Sequence, residues 1–145
     1  MFESIFETHT SVGLLILRVA LGVVFLAHGL PKMVTDGKFT GPSQTAGFLK
    51  SMNIPLPGFF AWVVGLLETV GAVMLVIGLA TRVLAIPFAI NMLVATTQAR
   101  IKMGKAKFAG GGAIGWEFEF LLGAASLVLF FTGPGLISVD RLIGL

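Results

Sequence analysis

FFAWVVGLLETVGAVMLVIGLA, residues 59–80, then Thr81-Arg82, then VLAIPFAINMLVATTQA, residues 83–99, decides the fold. A helix crosses a bilayer with about 20 mostly apolar residues. Both runs are near that length, and only two residues separate them. That leaves room for nothing but a tight antiparallel hairpin of spanning helices. Membrane β-strands alternate over about 9–11 residues, so unbroken apolar runs exclude them.

Two further runs lie outside the hairpin. Residues 12–30 carry Arg18 and His28, and residues 114–132 carry Glu117 and Glu119 in their first turns. The leader before the first run is acidic, with Glu3 and Glu7, and no small-residue cleavage pattern follows it, so it reads as a retained helix. Of the 145 residues, 56% are hydrophobic and 12% charged. So few charges cannot cover a soluble globule of this size, and such an apolar chain is not disordered. The expectation is all-α: one four-helix transmembrane bundle over residues 1–145. A short interfacial helix is expected at 44–52 in the first loop, with Ala46, Phe48, Leu49 and Met52 as its apolar edge. A short surface helix is expected in the tail, 136–145.

The absence of cysteine excludes disulfides, thiolate nucleophiles, Cys-bound zinc and iron–sulfur ligation. With His9 and His28 the only histidines, bis-histidine haem ligation within one chain is not supported. No dinucleotide fingerprint, Walker loop or H-E-x-x-H motif occurs. The net charge of +3 fits topology, not nucleic acid. Lys32, Lys38 and Lys50 mark the first loop and Arg100, Lys102, Lys105 and Lys107 the third, against Arg82 and Arg141 on the other side. Both long loops are therefore expected in the cytoplasm and both termini outside.

Ionisable groups inside a span cost several kcal/mol unless partnered, roughly 2.5–3.5 each on insertion scales, so they mark sites. Depth counted from the loop ends at about 1.5 Å per residue puts Arg18, Glu68 and Asn91 in a middle layer. His28, Lys32, Gln98, Glu117 and Glu119 fall in a second layer at the long-loop mouth. Arg18, Gly22, Phe25, Gly29 and Lys32 form one stripe of the first helix, whose glycines admit a close neighbour. Glu117 and Glu119 diverge by about 200° on a helix, so only one faces inward. Glu117 is expected inside and Glu119 at the mouth or a subunit contact. Two readings stand side by side. An Arg18–Glu68 pair serves helix register alone, or it belongs to a ligand site. His28 is a satisfied interfacial anchor or a proton-handling ligand contact.

Arg18, His28, Lys32, Glu68, Asn91 and Glu117 together would line a small pocket with cations, carboxylates and an imidazole between apolar walls. Such a pocket suits an amphipathic ring such as a quinone. No metal site and no self-contained catalytic centre is evident, so electrons would come from a partner protein.

RVALGVVFLAHGLPK, residues 18–32, resembles the first-helix signature of the DoxX family. Residues 68–82, closing on Gly78-Leu79-Ala80-Thr81-Arg82, resemble that family's second helix. Gly115-Trp116-Glu117-Phe118-Glu119, Gly133-Pro134-Gly135 and Ser138-Val139-Asp140 resemble its C-terminal segment. The resemblance implies a four-helix bundle in the bacterial inner membrane. It also implies quinone or thiol redox. One member type is a subunit of a thiosulfate:quinone oxidoreductase. Others are associated with oxidative-stress complexes or with resistance to quinone-like compounds. The expected function is a quinone-linked or redox-associated membrane subunit that binds a quinone-like or lipid ligand, with membrane lipids, a redox partner and further copies of itself as partners. Two alternatives are a scaffold subunit of a membrane complex and a small-molecule or lipid transporter.

Overall fold

The computed structural model describes residues 2–34, 41–109 and 115–145, without the side chains of residues 2–10, 99 and 103. Every regular element among them is helical. Helix α1 is Phe2–Met33, with an apolar stretch from Ser11 to Met33. Helix α2 is Gly41–Ser51. Helix α3, Pro57–Leu66, continues through a π-helical turn, Leu67–Gly71, into α4, Ala72–Ile77. Helix α5, Thr81–Val94, widens into a π-helical stretch, Ala95–Met103. Helix α6 is Glu117–Thr132 and α7 is Val139–Ile143. The runs Ser11–Met33, Pro57–Ile77 and Thr81–Lys102 are long and apolar enough to cross a membrane. Helix α6, at 16 residues, completes the bundle as its fourth helix. Lys38 of the first loop and the expected start of the fourth span at Ile114 lie outside the described residues.

The hairpin forms as its sequence dictates. Gly78 takes the left-handed conformation (φ 73°) that glycine accepts without a steric penalty, and Leu79 N–H reaches back to Met74 O at 2.8 Å. That closes α4 and turns the chain within three residues into α5. At the other end of the unit, left-handed Leu56 and Pro57 in the first turn launch α3.

Between the ends lies an apolar core of Leu21, Phe25, Ala72, Leu75, Ala85, Phe88, Met92, Leu122 and Leu129. Phe25 and Phe88 stack with ring centroids 4.2 Å apart. In lipid, burial alone gives little driving force, so close packing carries the contact. The expected glycine stripe supplies it. Gly22 lies against Val76 and the Ala72 carbonyl, and Gly29 lies against the backbone of Glu68.

Helix α2 packs on α3 through Leu49, Met52 and Ala61, with Ala46 and Ile54 beside them. Phe48, expected on this apolar edge, is exposed instead. Gly65 meets Met33, the last residue of α1, so the first two turns of α3 project beyond α1 and pack on α2. This stagger sets the register of every polar group below.

Candidate functional site

Glu68 sits in the π-helical turn, 2% exposed. Its Oε2 accepts from the Lys32 ammonium, and its Oε1 accepts from Asn91 Nδ2 at 2.7 Å. Three helices thus meet on one carboxylate: α1 through Lys32, the π turn through Glu68 and α5 through Asn91. The turn is built for this. Gly29 lets α1 press on the Glu68 backbone, and Thr69 Oγ1 donates to Gly65 O at 2.7 Å where the widened turn leaves the α-helical ladder. Lys32 remains partly exposed, so the cluster reaches the surface through its ammonium.

A second pair lies further toward the long loops. Arg100, on the π-helical stretch after α5, donates from Nε to Glu119 Oε1 at 2.7 Å. Glu119 is 8% exposed. Glu119, expected at the mouth, is thus the more buried of the two glutamates and takes the ion pair, while Glu117 is half-buried with its Oε2 also buried. Glu117 is the first residue of α6, where its N–H bonds Phe108 O at 3.1 Å and its Oε2 is packed against Gly115. The physical reason is Arg100, on the π-helical stretch after α5, which supplies the opposite charge at Glu119.

His28 is exposed on α1, with Nδ1 2.8 Å from Val24 O and its ring 5.8 Å from that of Phe118. No hydrogen bond joins His28 to Glu117 among the described residues.

Arg18 corrects the expected middle layer. It does not meet Glu68. It lies about 21 Å from Lys32 along α1, fourteen residues at about 1.5 Å each. Its guanidinium is fully buried against Gly78 at the α4–α5 turn and donates to the Ile137 carbonyl. Depth counted from the loop ends placed it near Glu68 because that count starts both helices level. The stagger of α3 beyond α1 brings Gly29, not Arg18, to Glu68. The carboxylate whose charge acts on Arg18 is Asp140 of α7, although the two form no direct ion pair among the described residues and Arg18 Nε and Nη1 have no hydrogen-bond partner. Asp140 is 4% exposed and takes Ala80 N–H at 2.6 Å and Thr81 N–H at 2.9 Å, capping α5. Leu136 N–H bonds Ser11 Oγ at 3.1 Å, stitching the same tail to α1. Sequence reasoning missed Asp140 by treating the tail as surface. The available signal was a lone carboxylate in an apolar tail and a spanning arginine in need of one.

The six expected ligand residues thus divide. Lys32, Glu68 and Asn91 converge; His28 and Glu117 stand at the same end without joining them; Arg18 belongs to a clamp at the far end. The described residues place no group of three or more metal-ligating side chains together.

Comparison with known proteins agrees with this architecture. The DoxX family model matches residues 13–100. CatD of Bacillus subtilis (strain 168), which bears an oxidoreductase name, is 35% identical over 132 residues, 91% of this chain and 87% of its own length. The inner membrane protein YphA of Escherichia coli (strain K12) is 31% identical over 129 residues, 88% of each chain. The membrane protein Rv3486 of Mycobacterium tuberculosis (strain ATCC 25618 / H37Rv) is 32% identical over 133 residues, 86% of this chain and 77% of its own. No solved structure matches the chain significantly.

Proposed function

This chain belongs to the DoxX family of inner-membrane proteins, and from that premise we propose that it is a quinone-linked membrane subunit serving a redox partner. The observation that carries the reading is the Lys32–Glu68–Asn91 cluster. An ionised network inside spanning helices costs free energy that an apolar core would not, so it is held for a task. The oxidoreductase name of CatD points the same way.

The residues fit a quinone-like ring. Bound there, the ring would supply the electron-carrying chemistry, and the partner would exchange the electrons. This chain binds, orients and handles protons. The partly exposed Lys32 ammonium donates to a ring oxygen. Glu68 and Asn91 fix where that ammonium points. Arg18 is left out, because it is buried at the far end of the bundle, where it donates to the Ile137 carbonyl.

The test is quinone content. Purified wild-type protein is expected to carry membrane quinone in extractable amount, and Lys32→Met and Glu68→Gln to carry several-fold less while remaining folded. Equal quinone in both variants would assign the cluster to helix registration and leave the chain a scaffold.

A further inference from the structure

Three buried side-chain atoms at the far end of the bundle have no hydrogen-bond partner among the described residues: Arg18 Nε, Arg18 Nη1 and Thr81 Oγ1. Arg18 and Thr81 are both fully buried. They belong to one neighbourhood. Arg18 lies over Gly78, whose missing side chain leaves the place that Nη1 takes; a Cβ there would collide with it. Thr81, three residues on, opens α5. Asp140 ties the two together. Its N–H donates to Gly78 O at 2.9 Å, its Oδ2 accepts from Thr81 N–H at 2.9 Å, and its charge acts on Arg18.

Each of these groups has bonding capacity left. The guanidinium has five N–H donors and places one nitrogen, Nη2, on the Ile137 carbonyl. Each Asp140 oxygen takes one backbone N–H, from Ala80 or from Thr81, and an ionised carboxylate oxygen has room for a second bond. The Thr81 hydroxyl both donates and accepts. Buried donors of a cation left without acceptors are costly, and acyl chains supply none.

The charges decide what fits. Arg18 and Asp140 balance, so an added anion or cation would itself be buried without compensation. The occupant is therefore neutral. It accepts from Arg18 and donates to Asp140, and it is small enough to sit beneath the tail. Water meets these conditions, and Arg18, Thr81 and Asp140 give it the three polar partners that a buried water usually has.

We infer that the docked tail seals an internal water site, in which water accepts from the free N–H groups of Arg18 and bridges to the Asp140 carboxylate, with Thr81 Oγ1 as a third partner. The charge pair at this end is water-bridged, and the carboxylate keeps its direct bonds for the first N–H groups of α5. The site stands apart from the quinone-linked reading, which concerns the other end of the bundle.

The test is made on the full chain in detergent, with arginine labelled by 15N at Nε. Of Arg18, Arg82, Arg100 and Arg141, only Arg18 is buried, so its Nε–H is the one slowest to exchange with solvent. That signal is expected to show a cross-relaxation peak to a long-lived water. Thr81→Val, close to wild type in shape but without the hydroxyl, should weaken the peak several-fold and lower the melting temperature by several degrees. Thr81→Ser keeps the hydroxyl and should keep the peak, whatever the lost methyl group does to melting. Absence of a water peak at the protected Nε–H of wild type overturns the inference. A peak unchanged in Thr81→Val overturns it as well, by removing the hydroxyl from the site. Melting of Thr81→Val at or above wild type does the same, because an unbonded hydroxyl is better replaced by a methyl group.

Discussion

A Cβ built on Gly29 would stand 2.5 Å from the Glu68 carbonyl oxygen and 2.7 Å from the Glu68 Cβ, so these two residues touch backbone to backbone. The contact holds α1 where Lys32 reaches the carboxylate. It also makes Gly29 sensitive to a single methyl group.

Gly29→Ala is expected to push α1 off the π-helical turn and cost about 1–3 kcal/mol, the usual range for overpacking. Gly13→Ala is the control. Nothing lies within 4 Å of a Cβ there, so the change should be neutral or stabilise by up to about 1 kcal/mol through helix propensity. Thermal unfolding of the two variants in one detergent separates the outcomes. Equal melting of both would show that the close approach is not maintained in the membrane.

The Lys32–Glu68 pair is expected to couple strongly. Removing one member of a buried pair strands the other, at a cost of about 3–5 kcal/mol, and Lys32's partial exposure points to the lower end. Lys32→Met with Glu68→Gln together should cost clearly less than the two single changes summed. A double-mutant cycle on unfolding in detergent gives the coupling directly. Additive losses would mean that the pair does not form.

Much of this arrangement was legible in the sequence. The hairpin needed only Thr81-Arg82 between two apolar runs, and the 4–3–4–3 spacing from Arg18 to Lys32 correctly gave a stripe against which a helix packs closely. The register was not legible. It depends on where α1 stops along α3, at the contact of Met33 with Gly65, which the two sequences do not mark. For the same reason Arg18 was matched with Glu68 instead of the tail. At Glu117 and Glu119 the helical angle showed that both cannot face inward. Which one depended on Arg100, whose position follows from a π-helical stretch with no plain sequence signature.

Asp140 is expected to be the most sensitive residue of the tail. Asp140→Ala removes the cap on α5, about 0.5–2 kcal/mol, and also strips the opposite charge from fully buried Arg18. Asp140→Asn retains an acceptor for one of the two N–H groups and loses the other acceptor together with the charge, so it should fall between wild type and Asp140→Ala. Melting temperatures of the three proteins give the order. If Asp140→Ala melts with wild type, the tail is not docked on the hairpin.

Orientation links the two ends of the bundle to function. Lys50, Arg100, Lys102, Lys105 and Lys107 stand on the loops at the Lys32–Glu68 end, while Arg82 and Arg141 stand at the tail end. Lysine and arginine in short loops are held on the cytoplasmic side. The Lys32–Glu68–Asn91 cluster should therefore exchange protons with the cytoplasm, and the Arg18–Asp140 clamp should close the outer end. A C-terminal alkaline phosphatase fusion is expected to be active and a C-terminal fluorescent protein fusion dark. A water-soluble amine reagent that cannot cross the membrane should label Lys105 only after cells are opened, since that residue is exposed. The opposite pattern would turn the molecule over. Any redox partner would then have to be sought on the outer face.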